Sequence, residues 1–142
     1  MFRTAYRITG NAADAEDVLQ TVFLRLLKRR DSEAVHDLES YLRRAAINAS
    51  LDLIRFRKND RAVPLVDTPS PASDHDPGEL KKALRGALGR LSPRSAEVFA
   101  LRFFEGFSNQ QIARMLGVSR ALIAVMVHRA RQQLQRDLSA YK

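Results

Sequence analysis

The chain has 142 residues, of which 45% are hydrophobic, and a formal net charge of +8. The hydrophobic fraction is too high for a disordered chain, and no apolar run reaches the roughly 18 residues that a membrane helix needs. The chain contains no cysteine, which excludes disulfides, thiolate zinc sites and thiol nucleophiles. Its three histidines (His36, His75 and His128) are scattered along the sequence, so no metal site is predicted.

The positive charge is concentrated in the C-terminal part of the chain. Residues 79–142 contain 12 Lys/Arg and 4 Asp/Glu, a net charge of +8, whereas residues 1–60 carry a net charge of +2. Within the N-terminal part, residues 40–58 hold five basic residues and one acidic residue. A basic surface attracts nucleic-acid phosphates whatever their sequence. Because charge also keeps a protein soluble, the charge alone leaves both interpretations open.

A segment rich in helix-breaking residues divides the chain. Residues 61–78 (RAVPLVDTPSPASDHDPG) hold four of the five prolines, three aspartates and two serines, a composition typical of a linker. The flanking segments show helical spacing of apolar residues and no strand-like alternation. The sequence therefore predicts an all-α protein. Two small helical domains, residues 1–60 and 79–142, would fold independently and be joined by a flexible linker.

Two helices are predicted in residues 11–57. The first begins at Asn11, which can cap it with Asp14 in the third position, and the second runs from residues 37–40 to about Arg57. Each helix has one apolar side that should pack in the domain core. The predicted inner residues are Leu19, Val22, Phe23, Leu26 and Leu27 in the first helix, and Leu42, Ala45, Ala46, Ala49, Leu53 and Phe56 in the second. A polar stripe along the second helix consists of Arg44, Asn48, Asp52 and Arg55.

Four further helices are predicted in the C-terminal segment from the signals at their ends. The residues that can cap a helix start are Asp76 (before Pro77), Ser92 (before Pro93), Ser108 (with Gln111 completing a capping box) and Ser119. Gly117 is expected to end the third of these helices. The fourth should run to about Asp137, which makes the segment a compact helical domain.

The stretch NQQIARMLGVSRALIAVMVH, residues 109–128, has the spacing of a helix-turn-helix. Ala113 is small where two helices approach each other, Gly117 permits the left-handed backbone of a tight turn, and Ile123 packs back onto the first helix. A purely structural helical hairpin would show the same spacing, but the basic charge of this segment favours DNA binding. In such winged-helix-like domains the N-terminal residues of the second helix face base edges in the major groove.

Three stretches, in chain order, resemble the extracytoplasmic-function (ECF) sigma factors of the sigma-seventy superfamily, which are bacterial transcription-initiation factors. NAADAEDVLQTVFLRLL, residues 11–27, is similar to the family's helix that docks on RNA polymerase. LESYLRRAAINASLDLIRFRK, residues 38–58, resembles the next helix, which melts and reads the minus-ten promoter element. LSPRSAEVFALRFFEGFSNQQIARMLGVS, residues 91–119, resembles the domain that reads the minus-thirty-five element. The resemblance covers nearly the whole chain.

The resemblance implies a cytoplasmic sigma factor that binds core RNA polymerase and directs promoter-specific initiation without being an enzyme. Promoter DNA and an anti-sigma factor are the other implied partners, and no membrane insertion is expected. The implied polymerase-binding residues are Asp14, Glu16, Asp17, Gln20 and Phe23. The implied minus-ten residues are Arg44, Asn48, Arg55, Arg57 and Lys58, with Asn48 bonding an extruded base, the basic residues contacting phosphates and Asp52 orienting the arginines. The implied minus-thirty-five residues are Ser119, Arg120, Ala124, Val125, His128, Arg129 and Arg131.

The sequence departs from the family pattern at two places. The family's first helix looks shortened at the start, MFRTAYRITG. The recognition helix carries Ala124, Val125 and Met126 where polar residues are expected, which leaves few groups to hydrogen-bond base edges. These apolar side chains would contact thymine methyl groups, pack in the core or meet a partner protein.

Two other classes of protein compete with this interpretation. A homodimeric helix-turn-helix regulator would use the N-terminal helices for dimerisation and would bind palindromic sites. An enzyme would require converging catalytic groups. Asp14 and Asp17 are paired carboxylates, but no histidine, cysteine or glycine-rich phosphate loop accompanies them. The sequence therefore predicts no catalytic residue, no metal ligand and no cofactor.

Overall fold

The computed structural model describes residues 2–28, 38–60 and 77–139. These ranges contain the helices α1 (Phe2–Thr9), α2 (Ala12–Lys28), α3 (Leu38–Asp60), α4 (Pro77–Arg90), α5 (Pro93–Phe103), α6 (Asn109–Leu116) and α7 (Arg120–Leu138). No strand occurs in the described ranges, and the predicted all-α class is confirmed. Residues 61–76 of the predicted linker, with the proposed cap Asp76, lie outside the described residues, whereas the last two linker residues already belong to α4.

Helices α1, α2 and α3 pack around a core of small side chains. Its buried members are Ala5, Ala15, Val18, Val22, Ala46 and Ala49, with Leu42, Ala45 and Leu53 partly buried beside them. Gly10 joins α1 to α2 with a φ of 85°, a left-handed backbone that favours glycine. Asn11 then caps α2 as predicted, since its Oδ1 accepts a hydrogen bond of 2.8 Å from the backbone N–H of Asp14.

The predicted inner sides of α2 and α3 are wrong for three large residues. Phe23 and Leu27 on α2 and Phe56 on α3 are exposed. The buried apolar stripe of α2 is Ala15, Val18 and Val22 instead, and Phe23 lies about 100° around the helix from Val22. Because alanines line much of the contact between these helices, the space between them holds small side chains and excludes the phenylalanines.

Helices α4 to α7 form a second bundle whose starts carry several of the predicted caps. The hydroxyl of Ser92 accepts a hydrogen bond from the backbone N–H of Ser95 at the start of α5, and Pro77 and Pro93 occupy the first positions of α4 and α5. The large buried side chains of this bundle include Leu88, Leu91, Val98, Leu101, Ile112, Ile123, Val127 and Leu134. An ion pair of 3.2 Å between Arg90 and Asp137 joins its first and last helices.

The two bundles pack directly against each other through α3. Ile8, Ile47 and Leu51 of the N-terminal bundle are fully buried in the same cluster as Leu88 and Leu101 of the C-terminal bundle. Burying a side chain of this size contributes roughly 1.5–3 kcal/mol, so the contact between the bundles is a substantial part of the core. Helix α3 therefore has a second buried face that the sequence analysis did not predict. Independent folding of the two domains stays a prediction.

Candidate nucleic-acid interface

The helix-turn-helix has the local geometry that its sequence predicts. Ser108 and Gln111 form a reciprocal capping box: the Ser108 N–H donates to Gln111 Oε1 at 2.8 Å, and the Gln111 N–H donates to Ser108 Oγ at 3.1 Å. Gly117 ends α6 in a left-handed conformation with a φ of 69°. The hydroxyl of Ser119 then caps α7 by accepting from the Leu122 N–H at 3.1 Å. The predicted starts and end of this motif are confirmed.

The inner side of the helix-turn-helix fixes which face of α7 is free. Ile112 and Ile123 are fully buried and Ala113 is nearly so, as the spacing predicted. The opposite side of the first turns of α7 is exposed, and its residues are Arg120, Ala124, Val125, His128 and Arg129. Val125 is 46% exposed, so it is not a core residue, whereas Met126 is partly buried against the core. The predicted recognition surface is thus accessible, although the Ser119 hydroxyl is already used in the cap.

Arg131 lies on the flank of α7 that faces α5. Its guanidinium carbon is 5.8 Å from the centre of the Phe103 ring, within the range of a cation–π contact. The side chain is still exposed, so it can reach a phosphate. Its position beside an aromatic ring distinguishes it from Arg129, which shows no such contact among the described interactions.

The polar stripe of α3 faces the C-terminal bundle. The carboxylate of Glu97 on α5 accepts hydrogen bonds from Arg44 Nε at 2.6 Å and from Asn48 Nδ2 at 3.1 Å. Glu97 is only 3% exposed, and its second oxygen accepts a longer bond of 3.4 Å from Arg44 Nη2. The structure therefore brings together Arg44 and Asn48, as predicted, but it does so around a carboxylate from the other bundle. This three-residue arrangement is called the Glu97 clasp below.

Arg55 also reaches across to the C-terminal bundle. Its Nη2 donates to the backbone carbonyl of Leu91 at 3.2 Å and its Nε to that of Gly89 at 3.4 Å, next to the end of α4. Asp52 lies 3.7 Å from Arg55 Nη1, which agrees with the prediction that it orients an arginine. Arg57 and Lys58 belong to α3, but their side chains lie outside the described residues.

A second carboxylate, that of Glu105, gathers N-terminal groups at the same boundary. Thr4 Oγ1 donates to Glu105 Oε1 at 2.9 Å, and Arg43 Nη1 forms a hydrogen bond with the same oxygen. Arg7 lies 3.7 Å from the other oxygen. Burial lowers the pKa of Arg43, but its hydrogen bonds to Glu105 and Glu39 outweigh that effect and raise the pKa above its ordinary value. Arg43 therefore stays charged in this cluster.

The sequence analysis missed Glu97 and Glu105, although a signal for them was present. Residues 79–142 contain only four acidic residues against twelve basic ones. Glu97 stands between Ala96 and Val98, which are both buried. An isolated carboxylate inside an apolar helix of a basic domain indicates a buried ion pair. Its partners could not be read from the sequence, because Arg44 lies 53 positions away.

The predicted polymerase-binding residues lie on α2, and all but one of them are accessible. Glu16, Asp17 and Gln20 are exposed, and Phe23 is 50% exposed. Asp14 is 4% exposed, and its carboxylate accepts a hydrogen bond of 2.8 Å from Asn11 Nδ2. Asp14 thus belongs to the cap of α2, while the other four residues can meet a partner.

Comparison with known proteins identifies the family. The family model for Sigma-70 region 2 matches residues 1–61, which contain α1 to α3. The family model for Sigma-70, region 4 matches residues 81–134, which contain most of α4 to α7. The RNA polymerase sigma-E factor of Streptomyces coelicolor is 33% identical over 99% of this chain and 80% of its own length. The chain belongs to the ECF sigma factor family. It is also 31% identical to the ECF RNA polymerase sigma factor SigE of Mycolicibacterium smegmatis, of which it spans 58%.

Solved structures of ECF sigma factors have the same fold. The sigma factor RpoE of Bartonella quintana, in complex with the anti-sigma factor NepR, matches 97% of this chain and 89% of its own with a TM-score of 0.55 and 25% identity. SigJ of Mycobacterium tuberculosis matches 94% of this chain and 49% of its own with a TM-score of 0.52 and 26% identity. Among the described helices of this sigma factor, none is both long and apolar enough to cross a membrane.

Proposed function

We propose that this sigma factor binds core RNA polymerase and directs it to promoters, with α3 reading the minus-ten element and the helix-turn-helix reading the minus-thirty-five element. The observation that carries the proposal is the order of two surfaces along one chain. An exposed acidic face on α2 precedes a basic helix-turn-helix whose second helix has a free N-terminal face. The alternative function, a homodimeric helix-turn-helix regulator, would not require a segment that matches Sigma-70 region 2. That alternative is therefore not favoured.

The exposed side of α2 supports a contact with polymerase. Glu16 and Asp17 offer carboxylates that can form charge-assisted hydrogen bonds with arginines, and Gln20 adds an amide on the same helix. Phe23 contributes an apolar side chain that is half exposed. Asp14 acts indirectly in this scheme, because its hydrogen bonds with Asn11 hold the start of the helix.

Helix α3 provides the groups for the minus-ten element. The Asn48 amide carries both donors and an acceptor, which suits it to an unpaired base in single-stranded DNA. Arg44 and Arg55 carry guanidinium groups that bind phosphates in a fixed geometry, and we propose that Arg57 and Lys58 extend this basic surface.

Helix α7 provides the groups for the minus-thirty-five element. Arg120 stands at its first position, where a side chain of a recognition helix meets base edges, and a guanidinium there can bind guanine through two hydrogen bonds. Ala124 and Val125 present methyl groups that fit thymine. Further along the helix, the side chains placed to contact phosphates are those of His128, Arg129 and Arg131. The Ser119 cap fixes the start of the helix.

The remaining parts of the proposal follow from this role. The protein would act by binding and positioning, without catalysing a reaction, in the cytoplasm where polymerase and promoters are found. Bartonella quintana RpoE was solved in complex with an anti-sigma factor, and we propose a protein of that class as a further partner here.

Transcription in vitro tests the proposed function directly. The purified chain is added to bacterial core polymerase on genomic DNA, and the start sites are mapped. Initiation from a defined set of promoters that share upstream and minus-ten sequences is expected only when both components are present. Start sites that do not depend on the chain, or a stable homodimer that binds palindromic duplexes without polymerase, would contradict the proposal.

A further inference from the structure

A cleft lies where α1 and α3 meet the turn that joins α5 to α6. It has a volume of about 370 Å³ and is lined by Arg3, Thr4, Arg7, Arg43 and Glu105. Its side chains carry three positive charges and one negative charge, a net charge of +2. A cleft of this size can hold a small molecule, and its charge favours an anionic one.

The turn between α5 and α6 fixes the backbone from which the Glu105 side chain extends. The Glu105 N–H donates to the Ala100 carbonyl at 3.1 Å, and the Phe107 N–H donates to the Leu101 carbonyl at 3.0 Å. Between them Gly106 has a φ of 79°, in the left-handed region that favours glycine. Because the backbone at and after Glu105 is bonded to α5, the carboxylate is presented to the cleft from a well-defined position.

The two oxygens of the Glu105 carboxylate have different surroundings. Oε1 accepts hydrogen bonds from Thr4 Oγ1 and Arg43 Nη1. Oε2 is buried and accepts no hydrogen bond from any described residue, and Arg7 Nη1, at 3.7 Å, is too far away to donate to it. A buried oxygen without a donor is costly, and an ionised carboxylate can only accept. Oε2 is therefore a site for a neutral hydrogen-bond donor.

Two arginines offer further donors in the same cleft. The side chains of Arg3 and Arg7 are both exposed. Arg7 donates to the Phe104 carbonyl, which uses one of its five N–H groups, and Arg3 has no acidic partner among the described residues. Arg43, by contrast, already pairs with two carboxylates. The planar guanidinium groups of Arg3 and Arg7 are thus available to bind phosphate oxygens.

We propose that this cleft binds a small phosphate ester that carries a hydroxyl group on its sugar, as ribonucleotides and sugar phosphates do. The phosphate accepts hydrogen bonds from Arg3 and Arg7, and a sugar hydroxyl donates to Glu105 Oε2. A carboxylate also holds a ribose hydroxyl in dinucleotide-binding folds. The inference goes beyond the proposed function and does not depend on it, since none of the lining residues is assigned to polymerase or to DNA.

The carboxylate in the cleft distinguishes this ligand from other anions. Inorganic phosphate would place its whole charge near Glu105, and like charges repel each other. The sugar–phosphate backbone of DNA has no free hydroxyl along its length, so it would leave Oε2 without a donor. A phosphate ester with a hydroxyl a few bonds from the phosphate can satisfy the arginines and the carboxylate together.

Calorimetric titration of the full chain, in a buffer without phosphate or magnesium, tests the site. The probes are adenosine diphosphate (ADP), ribose 5-phosphate, inorganic phosphate, and 2′,3′-dideoxy-ADP, which lacks both ribose hydroxyls. The test variants are Arg3→Ala and Glu105→Gln. Arg25→Ala is the matched control, because it removes an exposed arginine from α2, outside the cleft. A loss of affinity that comes from overall charge would be the same in Arg3→Ala and Arg25→Ala.

One molecule of ADP, of ribose 5-phosphate or of either is expected to bind per chain, and the comparison of the two shows whether the base contributes. Dideoxy-ADP should bind about tenfold more weakly than ADP, the effect of losing one hydrogen bond to a charged group. Arg3→Ala should weaken binding about tenfold for the same reason, whereas Arg25→Ala should match the parent protein. Glu105→Gln should no longer prefer the hydroxylated ligand, because its amide oxygen must face Thr4 and Arg43 and its nitrogen then replaces Oε2.

Three results would overturn the proposal. The first is that neither ADP nor ribose 5-phosphate binds at millimolar concentration. The second is that Arg25→Ala weakens binding as much as Arg3→Ala, which would indicate attraction by overall charge. The third is that the parent protein binds dideoxy-ADP or inorganic phosphate as tightly as the hydroxylated ligand. If Glu105→Gln fails to fold by circular dichroism, Arg3→Ala and the dideoxy-ADP comparison in the parent protein decide.

Discussion

Asn11 and Asp14 exchange two hydrogen bonds at the start of α2, each of 2.8 Å: the backbone N–H of Asp14 donates to the Asn11 amide oxygen, and the Asn11 amide nitrogen donates to the Asp14 carboxylate. Asp14 is therefore part of the fold, although it lies in the acidic stretch that resembles a polymerase-docking helix. The neighbouring Glu16 and Asp17 have no such role and point to solvent. Within a single turn of helix, Asp14 thus contributes to stability, whereas Glu16 and Asp17 are available to contact a partner.

We expect Asp14→Ala to lower the free energy of unfolding by about 1 kcal/mol, because it removes the hydrogen bond from Asn11 Nδ2 that supports the cap, and a net hydrogen bond contributes about that much. Urea denaturation followed by circular dichroism measures this change. The triple variant of Glu16, Asp17 and Gln20 to alanine should keep the parent stability but bind core polymerase more weakly in a pull-down. Glu79→Ala, an exposed acid on α4, is the control. Parent-like polymerase affinity of the triple variant would contradict the assignment of α2.

Asn48→Ala is expected to impair promoter opening more than polymerase binding. Loss of the amide removes the hydrogen bonds to an extruded base, so initiation on duplex promoters should fall, with a smaller loss on templates that are already melted at the minus-ten element. Abortive-product assays on the two templates measure the difference. Equal activity of the variant and the parent protein on both templates would show that Asn48 does not bind DNA and acts only in the Glu97 clasp.

Arg120 and Arg129 should affect the upstream element in different ways. Arg120→Ala should relax base preference at one position by about 1–3 kcal/mol. Arg129→Ala or Arg131→Ala should weaken binding to most promoters alike and reduce the salt slope by about one unit each. Protection of the upstream element by the polymerase complex, measured over a range of salt concentrations, checks both effects. Arg136→Ala, in the last turn of α7, serves as the control. If neither Arg129 nor Arg131 changes protection, α7 does not lie in DNA.

Val125 and Val127 provide a matched pair on α7. Val125 is 46% exposed and Val127 is 8% exposed, so Val125→Lys should leave the melting temperature unchanged while altering affinity or base preference at the upstream element. Val127→Lys should destabilise the bundle, because it buries an unpaired charge. Thermal unfolding and upstream protection are measured on both variants. If Val125→Lys loses only an anti-sigma partner and keeps DNA binding, its side chain faces protein rather than the groove.

Gly117→Ala tests the turn of the helix-turn-helix without a steric clash. Apart from the glycine itself and its two chain neighbours, no atom lies within 4 Å of the position that its Cβ would take. The φ of 69° is nevertheless strained for a residue with a side chain, at a cost of about 1–2 kcal/mol. Gly86→Ala, at a helical glycine of α4 whose Cβ would lie at an ordinary contact distance of 3.8 Å from Arg90 Nη1, should instead be neutral or stabilising by up to about 1 kcal/mol. Chemical denaturation of the two variants compares them, and an equal change in stability would rule out backbone strain as the cause.

The parts of the fold that the sequence predicted depend on local chemistry. Ser108, Gly117 and Ser119 act on backbone groups three or four residues away, so the ends of α6 and α7 could be predicted from the chain alone. The exposed face of α7 followed from the same local periodicity, because Ile123 and Val127 fix the inner side. These elements need no knowledge of the rest of the molecule.

The parts that were missed depend on contacts between distant residues. Ile47, Leu51 and Ile54 are spaced as a second apolar face of α3, yet only the position of α4 and α5 shows that this face is buried. The exposure of Phe23 and Phe56 was missed for a similar reason. Helical periodicity places apolar residues on the inner side whatever their size, whereas the space between the alanine-lined helices holds only small side chains. The partners of Glu97 likewise depend on how the two bundles meet.

The alanine-rich core of the N-terminal bundle has a consequence for its stability. Small side chains remove little apolar area from water, and stabilisation scales with that area. The three largest fully buried side chains among the described residues of this bundle, Ile8, Ile47 and Leu51, are covered by the neighbouring bundle. The N-terminal helices thus draw much of their solvent shielding from outside their own core. Any conformation that moves α4 and α5 away from α1 and α3 exposes these aliphatic side chains to water. A partner that covers them with an apolar surface would stabilise such a conformation.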